Sequence, residues 1–171
     1  METWEAIRAR RDVRRYDGRP IPSADLDRIL DAARRTPSAG NQQHWDFVVV
    51  TQRDRLERLS TVWRGARHVA SSAATIALVA PRAEPGRNRE ILQYDLGQAT
   101  FCIMVVAADL GIGSGHAAVG DQESARLILE VPETHAVEWM IALGYPAGGP
   151  LQSMDRINRR PFDEVVHREH W

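Results

Sequence analysis

The chain has 171 residues, of which 43% are hydrophobic, and its formal net charge is −1. These values predict one soluble domain spanning residues 1–171, and they exclude a disordered chain or a generally basic nucleic-acid-binding protein. All 22 basic residues are arginine, which excludes Schiff-base chemistry, a P-loop lysine and a lysine general base.

The N-terminal third of the chain is predicted to contain three helices and one buried strand. Residues 3–10 form a short helix, and Ser23 caps a second helix that ends near Arg35, with apolar residues at helical spacing. The continuous β-branched run in residues 46–51 predicts a strand buried on both faces. Residues 53–59 follow as a third helix.

The rest of the chain adds two strands and a long apolar helix. Residues 75–80 predict a second buried strand, and residues 81–89, rich in Pro, Gly and Arg, are the least ordered segment. Residues 94–110 are apolar on nearly all sides, which is typical of a helix in a core or a subunit interface, so we expect a dimer. Residues 113–119 form a loop or short strand, 123–129 a helix, and 138–144 a third strand, which gives an α+β domain.

Cysteine content and hydropathy predict a cytoplasmic protein without a membrane span. The single cysteine, Cys102, lies in an apolar run and is expected to be a buried structural thiol. The first residues carry no apolar signal segment, and the longest apolar stretch, which ends at Asp109, is shorter than the roughly 20 residues that a span needs.

Residues 10–16 are the first candidate binding segment. They read Arg-Arg-Asp-Val-Arg-Arg-Tyr, and guanidinium groups are suited to bidentate contact with a phosphate. Considered alone, such a run is also typical of a solvated helix end.

Residues 37–45 are the second candidate segment. Their proline, glycine and small hydroxyl and amide side chains suit a loop that approaches a flat polar heterocycle closely. The same composition is also typical of an ordinary turn.

Together, the two segments resemble the FMN-dependent nitroreductase family. Members of that family open with a pattern such as Arg-Arg-Ser-x-Arg-x-Phe and continue with Pro-Ser-x-x-Asn-x-Gln-Pro-Trp-x-Phe. This chain matches the patterns at residues 10–16 and 37–47, and further family segments follow in order at residues 95–97, 110–114, 142–146 and 159–166. The chain departs from the family at Asp12, where serine is usual, and at His44, where proline is usual.

The resemblance implies a nitroreductase-like fold with a central mixed sheet flanked by helices. It also implies an intertwined homodimer that exchanges a C-terminal arm, here residues 163–171. FMN would be the cofactor and NADPH or NADH the co-substrate. Nitroaromatics, quinones or free flavin would be the acceptors in a ping-pong hydride transfer through flavin N5, with no catalytic protein residue required. No nucleic-acid or membrane partner is expected.

The same resemblance assigns the cofactor site residue by residue. Arg10, Arg14 and Arg160 would bind the FMN phosphate, with Arg11 and Arg159 as second choices. Pro37, Ser38, Ala39 and Asn41 would line the flavin from the other subunit, and Gln43 would reach the polar edge of its ring. Gly115, His116, Ala117 and Ala118 would offer backbone groups to the flavin face, where His116 would also contact the acceptor.

Three further residues or segments carry expectations from this resemblance. A carboxylate would repel the FMN phosphate, so we expect Asp12 to turn toward a neighbouring arginine or to contribute its backbone N–H alone. Arg67 is a further candidate for a flavin or nicotinamide phosphate. Residues 82–89 are the candidate lid, because the chain has no room for longer insertions there.

Other site chemistries find little support in the sequence. His167 and His170 are spaced for a metal but lie in a polar tail, and Ser38 and Ser114 lack His/Asp partners at triad spacing. The open alternatives are a flavin-dependent dehydrogenase or a reductive dehalogenase on the same fold, a non-catalytic flavin-binding module, and an arginine-rich nucleic-acid binder.

Overall fold

An antiparallel sheet forms the middle layer of the protein in a computed structural model that describes residues 2–154 and 158–171. Within these ranges the sheet has four strands, which lie in the order β1-β2-β4-β3, and each neighbouring pair is antiparallel. The strands are β1 (Asp46–Val50), β2 (Ala74–Pro81), β3 (Gly113–Ala118) and β4 (His135–Gly144).

Helices cover both faces of this sheet. They are α1 (Thr3–Ala9), α2 (Ser23–Arg34), α3 (Arg53–Leu59), α4 (Arg87–Asp109) and α5 (Gln122–Leu129). Because side chains alternate along a strand, Ile76 and Leu78 of β2 pack with α2 and α4, whereas Ala77 and Val79 pack with α3 and α5. The predicted α+β class is confirmed.

The structure decides one alternative of the sequence prediction and corrects another expectation. Residues 113–118, predicted as a loop or a short strand, form a fourth strand. The expectation of a mixed sheet is wrong for the described strands, because every neighbouring pair is antiparallel and the parallel pairing is an isolated bridge between Asp12 and Ser114. The Gly/Ala composition of β3 hides its strand character. Its place depends on close packing, because a Cβ on Gly113 would lie 2.8 Å from the Val13 side chain.

Helix α4 begins seven residues earlier than predicted, at Arg87. Its first two turns are polar, so hydropathy does not reveal them. Within these turns Arg89 makes two hydrogen bonds to the Glu138 carboxylate of β4, at 3.0 and 3.1 Å, and Gln93 donates a third at 2.8 Å. Arg89, at the end of the segment predicted to be least ordered, is therefore fixed to the sheet.

The outer face of α4 stays largely uncovered. Tyr94 and Phe101 are exposed on it, and Cys102 is half-buried rather than buried as predicted. By length and composition alone α4 is long and apolar enough to cross a membrane, contrary to the sequence estimate, but its other face packs in the core of the domain.

Residues 158–171 form a tail whose side chains are exposed and which contains the short 3-10 helix Phe162–Glu164. Phe162, Val165 and Trp171 are among its exposed apolar residues. Arg160 contacts Glu164 within the same tail. The tail therefore presents apolar surface that its own chain leaves open.

Candidate functional site

Residues 10–16 run along the edge strand β3 and the end of β4. The Val13 N–H donates to the Ser114 carbonyl at 2.8 Å, and the Ala147 N–H donates to the Arg15 carbonyl at 3.0 Å. The Tyr16 hydroxyl lies 2.7 Å from the Val13 carbonyl oxygen, and burial raises the pKa of Tyr16. The segment is therefore a fixed edge of the sheet, not a solvated helix end.

The Asp12 carboxylate lies between three basic side chains. Its oxygens are 3.3 Å from Arg14, 4.0 Å from Arg10 and 3.4 Å from Nδ1 of His116. The prediction that Asp12 turns toward a neighbouring arginine is confirmed. Asp12 thus offsets part of the positive charge of the segment and orients the groups around it.

Arg14 separates two open cavities at this edge. A cavity of about 410 Å³ is lined by Arg11, Asp12, Arg14, Arg15 and residues 146–149. A second cavity, of about 600 Å³, is lined by Arg14, Arg64, Gly65, Arg67, His68 and Ser71. The second lining holds three guanidinium groups and no carboxylate, a donor set that suits a phosphate and the polar edge of a heterocycle.

The glycines of the first cavity leave room for a bound group. A Cβ built on Gly148 or Gly149 would meet nothing within 4 Å, so the floor of this cavity is open. Arg10, Arg11 and Arg14 lie at this edge, and Arg11 also donates to the Gln152 carbonyl at 3.2 Å. The residues present therefore fit an anionic, phosphate-bearing cofactor such as FMN.

Arg64 and His68 are site residues that the sequence analysis did not identify. Arg64 lies just before the short 3-10 helix Arg67–Ser71, and His68 lies within it. No sequence motif marks either residue. His68 is buried, and its Nε2 lies 3.1 Å from the Gly115 carbonyl oxygen. A Cβ on Gly115 would lie 2.5 Å from the Val13 carbonyl oxygen. Val13, His68 and β3 are therefore packed without spare space.

The pKa of His68 indicates how the stability of the protein depends on pH. Burial lowers this pKa below its ordinary value of 6.5, although the hydrogen bond to Gly115 opposes the shift. At low pH the unfolded chain therefore binds a proton at His68 more readily than the folded protein does. The free energy of unfolding is unaffected by this group above about pH 6.5, and it decreases as the pH falls below that value, by at most about 1.4 kcal/mol per pH unit.

The variant His68→Gln keeps a donor for Gly115 but cannot titrate. Urea unfolding between about pH 7.5 and pH 5 should show a flatter dependence of the unfolding free energy on pH in this variant than in the wild type. Parallel profiles would show that His68 does not contribute to acid destabilisation.

The second candidate segment forms a tight loop held by α4. The Ala39 N–H donates to the buried Asp95 carboxylate at 3.1 Å, and the Gln43 N–H donates to the Ser38 hydroxyl at 3.0 Å. Gly40, Asn41 and Gln43 adopt φ values of 58°, 56° and 52°, a region that suits glycine and asparagine best. The loop therefore has a defined shape before any ligand binds.

The two candidate segments lie at opposite corners of the sheet. The loop leads into edge strand β1 at Asp46, which pairs with Val79 near the end of β2. Asp12 bridges Ser114 of the other edge strand, β3, and Ser114 is level, through Leu143, with Ala74 at the start of β2. The two edge strands are about 14 Å apart across the sheet, and Ala74 and Val79 are about 16 Å apart along β2. A single chain therefore keeps the segments on the order of 20 Å apart.

The remaining predicted site residues have mixed placements. His116 is exposed beside Asp12, whereas Ala117 is buried in the core and Ala118 is half-buried. Arg159 and Arg160 lie in the exposed tail, where Arg159 bonds to the Asn158 carbonyl and Arg160 to Glu164. These contacts are all made within the tail itself.

The candidate lid is anchored at both ends. The Arg82 N–H donates to the Thr134 carbonyl at 2.9 Å, and Arg89 is held by Glu138. Both ends of the candidate lid are therefore held by neighbouring segments in this structure. A cavity of about 460 Å³ lies between this segment and the loop, and His44, Arg82 and Asn88 are among its polar lining residues.

Comparisons with known proteins agree with this architecture. Residues 7–66 match the Nitroreductase family. The chain is 32% identical, over 176 residues and 99% of both chains, to a protein of Archaeoglobus fulgidus assigned as an NADH dehydrogenase/NAD(P)H nitroreductase.

Two solved structures are similar in fold. A Clostridium acetobutylicum protein assigned as an NADH oxidase has a TM-score of 0.83 at 26% identity, covering 98% of this chain and 100% of that chain. An FMN-dependent nitroreductase of Clostridium difficile R20291 has a TM-score of 0.85 at 23% identity, covering 98% of this chain and 99% of that chain.

Proposed function

The chain belongs to the nitroreductase family, and from this premise we propose that it is an FMN-dependent oxidoreductase. It takes electrons from NADH or NADPH and passes them to a small-molecule acceptor such as a nitroaromatic compound, a quinone or free flavin. The observation that carries this proposal is the position of Arg14 between two arginine-lined cavities at the edge of β3.

The arginines have the binding role in this proposal. Arg10 and Arg14 hold the FMN phosphate, and Arg64 and Arg67 face the polar edge of the flavin. Several guanidinium groups in one place repel each other, so a bound dianion stabilises the cluster. When bound, FMN supplies the hydride chemistry, and the chain supplies binding and orientation.

A second copy of the chain completes the site. The loop of residues 37–43 lies too far from Arg14 in its own chain to share one cofactor with it, so the loop of the partner provides the other wall. The exposed Tyr94 and Phe101 on α4, together with Phe162 and Trp171 of the tail, supply apolar surface for a homodimer. The exchanged arm would bring Arg159 and Arg160 to the phosphate. A cytoplasmic location fits the use of NAD(P)H.

The absorption spectrum of the purified protein tests this function. We expect the protein to show, or to take up with added FMN, the flavin bands near 450 nm, and NADH or NADPH should bleach them without oxygen. A flavin that binds but is not bleached would favour the non-catalytic module or an enzyme that oxidises another substrate. A protein that takes up no FMN would contradict the proposed function.

A further inference from the structure

Asp12 and His116 form a carboxylate–imidazole pair at the candidate site. Nδ1 of His116 lies 3.4 Å from the Asp12 carboxylate, and the ring packs edge-on at 6.3 Å from Trp139. The His116 side chain is 46% exposed. A carboxylate at Nδ1 selects the tautomer with the proton on that nitrogen and leaves Nε2 for a ligand or for water.

We propose that His116 donates a proton to a quinone-type acceptor and that Asp12 positions it for this step. The proposal rests on the function proposed above and extends it by a catalytic residue. It also gives Asp12 a role beyond offsetting part of the positive charge of the arginines. Carboxylate-paired histidines are effective general acids because the carboxylate fixes the ring and stabilises its charged form.

The proton balance of quinone reduction supports this role. A quinone becomes a hydroquinone by gaining two electrons and two protons, and NAD(P)H contributes both electrons and one proton as hydride. His116 supplies the second proton from its imidazolium form, which carries a proton on each ring nitrogen. Its Nε2–H bond breaks, an O–H bond forms on the quinone oxygen, and the electron pair stays on Nε2, which leaves the neutral ring with its proton on Nδ1. Because His116 is exposed, water returns the proton after each turnover.

Three neighbouring elements determine which charged groups lie near His116. Residues 10–16 contribute Asp12 with its partners Arg10 and Arg14. Strand β4 contributes the uncharged Trp139, and the short helix Arg67–Ser71 contributes His68, which contacts the neighbouring Gly115. Asp12 is the carboxylate in contact with the imidazole, so its removal should be felt directly at His116.

Stopped-flow kinetics with two acceptors tests the donor role. Ferricyanide accepts electrons without a proton, whereas benzoquinone needs a proton in addition to the hydride. His116→Gln should slow benzoquinone reduction about a hundredfold, leave ferricyanide reduction and flavin bleaching by NADPH unchanged, and regain rate with added imidazole. His135→Gln, at the start of β4, is the matched control and should behave as the wild type. Equal slowing with both acceptors, or no slowing with benzoquinone, would overturn the proposal.

Nitrogen-15 NMR of the flavin-free protein tests the pair without turnover. At about pH 8.5, well above the ordinary imidazole pKa, His116 should carry its proton on Nδ1 in the wild type and shift toward the Nε2 tautomer in Asp12→Ala. An Nε2 tautomer in the wild type would overturn the positioning role of Asp12. Failure of NADPH to bleach the flavin of the wild type would contradict the proposed function instead, so the two failures are distinguishable.

Discussion

Arg14→Ala is expected to raise the Kd for FMN by about 30- to 150-fold, because a charge-assisted hydrogen bond to an anion contributes about 2–3 kcal/mol. Arg14 is the arginine that lines both cavities at the edge of β3. Its side chain is 60% exposed and makes one ion pair, with Asp12. The free energy of unfolding should therefore change by less than about 0.5 kcal/mol.

Quenching of FMN fluorescence measures this loss of affinity. The matched control is Arg34→Ala on α2, which removes an equally exposed guanidinium that is paired with Asp31. This control should bind FMN with wild-type affinity. If both variants bind equally well, Arg14 does not hold the cofactor and the proposed phosphate site is wrong.

Arg89→Ala is expected to lower the free energy of unfolding by about 2–3 kcal/mol, because it leaves a buried carboxylate without its charged partner. The Glu138 side chain is 6% exposed, and Arg89 contacts both of its oxygens. Gln93 still donates one hydrogen bond to Glu138, and Arg89 is itself partly exposed, so the loss should stay below that of a fully buried pair.

Urea unfolding measures this destabilisation, with Arg87→Ala as the control. Arg87 is exposed and pairs at 3.5 Å with the exposed Glu90, so its removal should cost less than about 0.5 kcal/mol. Equal stability of the two variants would show that the Glu138 network does not hold α4 to β4. The unpaired carboxylate can be removed by adding Glu138→Gln, and this double variant should regain part of the lost stability.

Local sequence patterns predicted the elements whose residues carry their own signal. The β-branched run gave β1 to within one residue, and the helical spacing of Leu26, Ile29 and Ala33 gave α2, although Ser23 begins that helix rather than capping it. The Arg-rich run and the Pro-Ser loop pointed to the candidate site because their residue types match the chemistry of a phosphate and a flat heterocycle.

Features that depend on tertiary contact were missed or only partly predicted. β3 is a strand because Val13 and β4 enclose it, and its glycines carry no sequence signal for such packing. The polar start of α4 is fixed by Glu138, 49 residues away from Arg89. His68 reaches Gly115 from a segment without a motif. The distance between the loop and Arg14 follows from strand order, which no local pattern encodes.

In the proposed dimer, one FMN site needs Arg14 from one chain and the loop of residues 37–43 from the other. Subunit complementation is the decisive test of this shared site. Ala39→Trp would place an indole at the loop surface, and its homodimer, like that of Arg14→Ala, should leave FMN largely unbound at a concentration that saturates the wild type. Melting curves confirm that both variants fold.

A heterodimer of the two variants, purified through two affinity tags, contains one pairing of an intact Arg14 with an intact loop. We expect this heterodimer to bind one FMN per dimer with wild-type affinity and NADPH to bleach the bound flavin. A heterodimer that binds no FMN would show that both segments act within one chain, and would contradict the shared site.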